Sequence, residues 1–226
     1  MSHWRIAALS ACAVFAILTV GCSPSAPGAN ASLPWHELDL SAQPGPPAVV
    51  AQPRRPSRRA GSPDGPWASD GYRPWRYVVI HHSATDGGNA GVFDEAHRSR
   101  GWDELGYHFV IDNGNGGPDG QVEVGSRWRS QKWGAHCRTP GNEYNLYGIG
   151  ICLVGDFSES MPSEAQLASL RRLVSHLSST YDIPPYNVIG HCDAPGASTE
   201  CPGRAFVPYV HATLRTQIAK QLASGR

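Results

Sequence analysis

The sequence has no excess charge of either sign. Its 19 Lys and Arg balance 19 Asp and Glu, so bulk charge gives no pull toward nucleic acid or an anionic membrane surface. It has no internal repeat and no Cys-x-x-Cys pair. The second absence argues against a structural zinc finger, which wants four ligands from closely paired cysteines. It has no apolar run long enough to read as a membrane span. The longest, IAALSACAVFAILTV at 6–20, is short and N-terminal. Cysteine is sparse, at six residues.

What is present suits one ordinary domain with extras: 226 residues, 40% of them hydrophobic. The apolar run follows a head with one Arg, MSHWR, and residues 1–21 read as a signal peptide. The run closes in LTVGCS. Gly21 before Cys22 resembles the lipobox of bacterial lipoproteins, although Thr19 stands where a larger aliphatic residue is usual. Cys22 is therefore a candidate lipidation site; a plain secretory signal is the alternative. Either way the protein is expected to be exported, with any membrane contact made only through the N-terminal lipid. Four cysteines remain beyond that segment: Cys137, Cys152, Cys192 and Cys201. If all paired, three connectivities would be open.

Residues 22–74 read as a Pro-rich disordered linker. The stretch from 23 to 75 carries 11 of the 19 prolines and too little apolar surface to offset the entropy of ordering. Extended at ~3.1 Å per residue, it would reach on the order of 100 Å. RRPSRR at 54–59 is a local basic cluster, read as solvated or as attracted to acidic polymers.

Order is expected from Trp75, in a domain of 75–226. RYVVIHH is a β-branched buried strand, and NAGVFDEAHRSRGW a short helix ending at Gly101. A hairpin follows, with strands at 106–112 and 121–125 around a Gly/Asn/Asp turn. YGIGICLVGDF is another buried strand and NVIGH a short one. PSEAQLASLRRLVSHLSSTY is the clearest helix, with Ser163 and Gln166 spaced as a capping box and Leu167, Leu170, Leu173, Val174 and Leu177 on one face. FVPYVHATLRTQIAKQL closes the chain as a helix. The fold class is α/β: a central mixed sheet flanked by helices.

Chemistry-bearing residues gather at strand ends. His81 ends the first strand, His191 ends the last, and Cys201 follows in TECPG. Two imidazoles and one thiolate suit zinc, and three protein ligands leave a fourth position open, as in catalytic sites. His82 competes with His81, but neighbours on a strand point to opposite faces, so only one can reach the metal.

VVIHHSAT, GWDELGYHFVID, GAH at 134–136, YGIGICLVGDF and GHCDAPGASTECPG appear in this order from about Arg76 to Phe206. In this the chain resembles the N-acetylmuramoyl-L-alanine amidase family that includes peptidoglycan recognition proteins. The resemblance implies Zn2+ on His81, His191 and Cys201, the first His of the pair being the ligand. It implies catalytic roles for Tyr107, facing the metal, and Thr199, in the position of an oxyanion donor. It places His136 in the groove as a substrate-binding residue, while His108 alternates away from Tyr107 toward the core. One group of the family has a carboxylate where Cys152 stands, so the proton carrier is left open; Glu200, the neighbour of Cys201, is not assigned that role. If His136 and His191 border one cleft, Cys137 and Cys192 could pair. The implied activity is zinc-hydroxide cleavage of the amide between N-acetylmuramic acid and L-alanine, with peptidoglycan or muropeptide as partner and a monomer as the working state. The alternative is a lipoprotein of the same fold that binds muropeptide without cutting it.

Overall fold

A computed structural model describes residues 65–224. The signal segment, Cys22, RRPSRR and the linker up to 64 lie outside the described residues.

Five strands form one mixed sheet: β1 (Tyr77–His82), β2 (Phe109–Ile111), β3 (Val122–Val124), β4 (Gly148–Leu153) and β5 (Val188–Gly190), in the order β3-β2-β4-β1-β5. β1 pairs in parallel with β4 and β5, β2 in parallel with β4, and only the β2–β3 hairpin is antiparallel. The helices are α1 (Ala90–Arg98), α2 (Ser126–Arg129), α3 (Glu143–Tyr147), α4 (Glu164–Tyr181) and α5 (Arg215–Ser224). The α/β mixed-sheet class read from the sequence is the observed one. Among the described residues no helix is long and apolar enough to cross a membrane.

The sheet has two unlike faces because side chains alternate along each strand. One face carries Val78, Ile80, Phe109, Ile111, Ile149, Ile151, Leu153 and Val188. These pack with Leu167, Leu170, Leu173, Val174 and Leu177 of α4 and with Leu214 and Ile218 at the C-terminus. That is the main core, and hydrophobic burial there is the principal stabilising term. The other face is left for chemistry. In the aligned β1–β4–β2 register His81, Cys152 and Val110 stand side by side, and Val79 and Ile189 belong to a separate small cluster with Cys137 and Ala194.

α4 begins as its sequence prescribes. Ser163 Oγ accepts from Gln166 N at 3.0 Å, and Ser163 N donates to Gln166 Oε1 at 3.2 Å. Gln166 does more than cap. Its Nε2 donates to the carbonyls of Ile111 (3.1 Å) and Val154 (2.9 Å), pinning the helix to the ends of β2 and β4. Ile111 O also accepts from Val154 N at 2.9 Å, so Gln166 adds a second bond there and supplies a donor to the Val154 carbonyl.

Four expectations shift. Order begins earlier than Trp75: Trp67 packs on the core, its carbonyl accepts from Trp128 Nε1 (2.9 Å), and Arg73 donates twice to Leu146 O (2.9 and 2.8 Å). One aromatic anchor and one guanidinium thus dock the segment before Trp75 on the folded part. The hairpin strands are shorter than read, because Leu105 N and Gly106 N donate to Asp94 Oδ1 (2.6 Å) and His97 Nδ1 (3.0 Å) instead of to a strand. The closing helix is a π-helical turn, Tyr209–Leu214, leading into α5. Finally, Cys137 and Cys192 are both free thiols. Cys137 faces the small apolar cluster, so the pairing considered for them does not form.

Candidate metal centre

His81 reaches the chemical face of the sheet from the fifth position of β1, and His82 turns to the opposite side. The His82 ring lies 6.1 Å from Phe157, and its Nδ1 accepts from Phe157 N at 3.2 Å. The alternation that separated the two residues on paper separates them in space.

His191 follows β5 directly. Its backbone enters a tight turn, His191–Asp193, which Asp193 closes by accepting from Gly190 N at 2.8 Å. Asp193 is held in turn by His211 Nε2 at 2.7 Å. Gly190 has to be glycine: a Cβ there would stand 2.8 Å from Pro202 Cδ. The close approach it permits brings the Cys201 segment alongside, and Cys192 N donates to Cys201 O at 2.7 Å. Cys201 Sγ then sits against β1, accepting from His82 N at 3.4 Å.

The result is one pocket. A ring nitrogen from each of His81 and His191, and Sγ of Cys201, lie within 4.8 Å of one another. The His81 and His191 ring centroids are 4.6 Å apart. His81 Nδ1 faces Cys201 Sγ at 3.6 Å. Burial, then the neighbouring His191 and His136, holds the His81 imidazole well below its ordinary pKa. Burial brings His191 down to about 4. Both rings are therefore neutral at pH 7 and offer lone pairs. Burial also pushes the Cys201 thiol well above its usual value, against the His82 N–H that favours the thiolate. Three soft or borderline donors converging in a buried pocket fit a zinc-like cation, which would supply the charge that a buried thiolate needs.

Tyr107 lies beside this pocket. It is 3% exposed, with its ring 5.2 Å from His81. Burial, then the nearby Cys152 and Cys201 sulfurs, raises its phenol well above the usual pKa. It stays protonated and can donate. Thr199 stands on the exposed rim, and its Oγ1 accepts from Cys201 N at 3.1 Å. That bond uses a lone pair and leaves the hydroxyl hydrogen for another acceptor. Glu200 turns to solvent, 3.8 Å from Arg204. His108 is fully buried: Nδ1 accepts from Gly150 N (2.9 Å), Nε2 meets Lys132 O (3.0 Å), and the ring packs edge-on against Trp75 and Trp128.

His136 is the surprise. The sequence puts it in a groove, yet it is 9% exposed, and its Nδ1 lies 3.0 Å from His81 Nε2. His97, on α1, is buried, stacked on Trp102 at 4.4 Å, and 5.7 Å from the Tyr107 ring. The EAHRSRGW spacing, which lets a helix fold its last turn back on Trp102, was the available signal.

An α/β sheet with two imidazoles and a thiol joined on one face defines a protein with a candidate three-donor metal centre. The chain belongs to the N-acetylmuramoyl-L-alanine amidase family, whose profile matches residues 71–204. It is 33% identical over 137 residues to an N-acetylmuramoyl-L-alanine amidase of Sus scrofa, covering 57% of this chain and 20% of the pig protein. It is 30% identical over 139 residues to peptidoglycan-recognition protein 2 of Holotrichia diomphalia, covering 55% and 68%. Among solved structures it superposes on the N-acetylmuramoyl-L-alanine amidase LysC from Clostridium intestinale with a TM-score of 0.51, 29% identity and coverage of 70% and 92%. The chain thus spans about a fifth of the pig relative and most of the clostridial one.

Proposed function

We propose that this protein is a zinc-dependent N-acetylmuramoyl-L-alanine amidase, which hydrolyses the amide between N-acetylmuramic acid and L-alanine of peptidoglycan or its fragments. The observation that carries the reading is the complete donor set: His81, His191 and Cys201 within 4.8 Å, with the Tyr107 ring 5.2 Å from His81. His81, His191 and Cys201 would hold the zinc ion, which would supply a Lewis acid for the scissile carbonyl and for activating water.

The chain's own residues do the rest. His81 and His191 stay neutral because burial forbids their protonation. Tyr107 keeps its proton and donates to the oxygen that gains charge as the carbonyl carbon becomes tetrahedral. Thr199 offers a second hydroxyl hydrogen from the rim. Cys152 stands in the strand position opposite His81, and burial raises its thiol so far that it does not act as a base. Export, with a lipid anchor at Cys22, completes the reading and rests on residues 1–22 of the sequence alone.

Some relatives bear the name of recognition proteins, and the thiol at 152 in place of a carboxylate favours binding without cleavage. Mass spectrometry of products from defined muropeptides separates the two. Release of free stem peptide, abolished by chelator and restored by zinc, is the expected outcome. Tight muropeptide binding with no product at any zinc concentration would overturn the amidase reading.

A further inference from the structure

His136 sits where no solvent-facing ligand residue would. Its ring lies in a slot between Gly134 and Gly150. A Cβ at Gly134 would stand 2.4 Å from His136 Cδ2, and one at Gly150 would stand 2.3 Å from the same atom. Its backbone is equally fixed: Asn145 Oδ1 accepts from both His136 N and Cys137 N at 2.8 Å, and Asn145 Nδ2 donates to Asn142 Oδ1 at 2.7 Å. Both ring nitrogens have protein partners. Nε2 faces Gly148 O at 3.2 Å, and Nδ1 faces His81 Nε2 at 3.0 Å.

The partners dictate the protons. Gly148 O is a carbonyl and can only accept, so His136 Nε2 carries the hydrogen. A neutral imidazole has one N–H, and Gly148 O takes that of His136. His136 Nδ1 is then an acceptor, and the hydrogen in the 3.0 Å contact belongs to His81 Nε2. With its one N–H at Nε2, His81 presents Nδ1 as the bare nitrogen. That is the atom 3.6 Å from Cys201 Sγ. A carbonyl at the first residue of β4 thereby decides, through two rings, which nitrogen of His81 faces the cation pocket.

From this geometry we infer that His136 is a positioning residue: it locks His81 in the Nε2–H tautomer and aims Nδ1 at the metal. The inference rests on the proposed zinc site for its purpose, but not for its hydrogen bonds. It replaces the role read from sequence, in which His136 touches substrate. Partners that orient a ligating His in this way are worth ~10–100-fold in metal affinity.

The test uses the full exported chain with three side chains at 136. His136→Phe keeps a ring in the slot but removes both polar atoms. His136→Gln supplies an acceptor for His81 and an N–H for Gly148. Zinc dissociation constants are measured by competition with a chromogenic chelator, beside muropeptide dissociation constants and melting of the metal-free proteins. The expected result is zinc binding weakened ~10–100-fold in His136→Phe, largely recovered in His136→Gln, with muropeptide affinity changed far less. Imidazole 15N shifts of the metal-free wild type should show His81 protonated at Nε2, and in His136→Phe a mixture of tautomers. Unchanged zinc affinity in a folded His136→Phe, or a wild-type His81 protonated at Nδ1, would overturn the inference. If the Phe variant does not fold, the Gln variant and the wild-type tautomer decide. If the wild type takes no zinc, the amidase proposal fails while the tautomer measurement still judges His136.

Discussion

Cys152 stands directly across from His81 in the parallel β1–β4 register, and the Tyr107 ring lies 5.2 Å from the His81 ring. Two consequences follow for chemistry. A phenol stands beside the candidate ligand, and no carboxylate occupies the strand position across from it.

The first concerns Tyr107. Replacing it by Phe keeps the ring against His81 and removes the one donor. Cleavage should fall by ~10²–10³ in kcat, the usual loss for one oxyanion donor, while zinc affinity stays within a few-fold. Steady-state kinetics beside chelator competition checks both; a Phe variant with full kcat removes Tyr107 from the mechanism.

Cys152→Ala should leave kcat within about tenfold of wild type. The thiol is held protonated by burial, so it does not carry the reaction's proton. A loss as large as that of Tyr107→Phe would make Cys152 a participant after all.

Cys201→Ser exchanges the soft ligand for a hydroxyl that does not ionise at neutral pH. Bound zinc, read by elemental analysis after gel filtration, should drop from near one per chain to near none, and muropeptide cleavage should vanish with it. A zinc-loaded, active Ser variant would contradict the three-donor centre.

Asp112 follows β2 directly, diagonal to Glu123 on β3 and wholly buried. Burial, then the charge of Glu123, pushes its pKa up to about 7. The folded protein therefore keeps a proton that the unfolded chain releases near 3.8. That stabilisation is full below the unfolded value and is lost as pH rises toward 7. Asp112→Asn removes the titration, and its amide can donate to Glu123. Relative to wild type it should gain ~1–3 kcal/mol between pH 5 and pH 8. Denaturation at several pH values reads this directly, and parallel curves for the two proteins would refute it.

Gln166→Ala removes the second half of the capping box, takes one of two donors from the Ile111 carbonyl and takes a donor from the Val154 carbonyl. A loss of about 2–3 kcal/mol is expected, against ~1 for Ser163→Ala, which loses only the cap. Urea midpoints with unchanged slopes test the ranking.

Much of this was legible in the residues. Alternation in YVVIHH separated His81 from His82 before any coordinate, because a strand has a period of two. The capping box of α4 was readable because its two partners are three residues apart. The second use of Gln166, on strands 55 and 12 residues away in the chain, was not. Nor was the docking of Trp67 and Arg73, since a Pro-rich flank with one aromatic looks the same in sequence whether or not it finds a pocket.

The sequence by itself determined most of the elements, the two-faced sheet and, with the family resemblance, the candidate metal donors, since these follow from periodicity, local spacing and side-chain chemistry. Only the tertiary structure decided that His136 Nδ1 lies 3.0 Å from His81 Nε2, that the Tyr107 ring comes to 5.2 Å from that of His81, and that Asp112 is buried diagonal to Glu123. Each of these joins residues whose approach depends on strand register and on gaps left by glycines, and a contact across the sheet leaves no period in the chain to read.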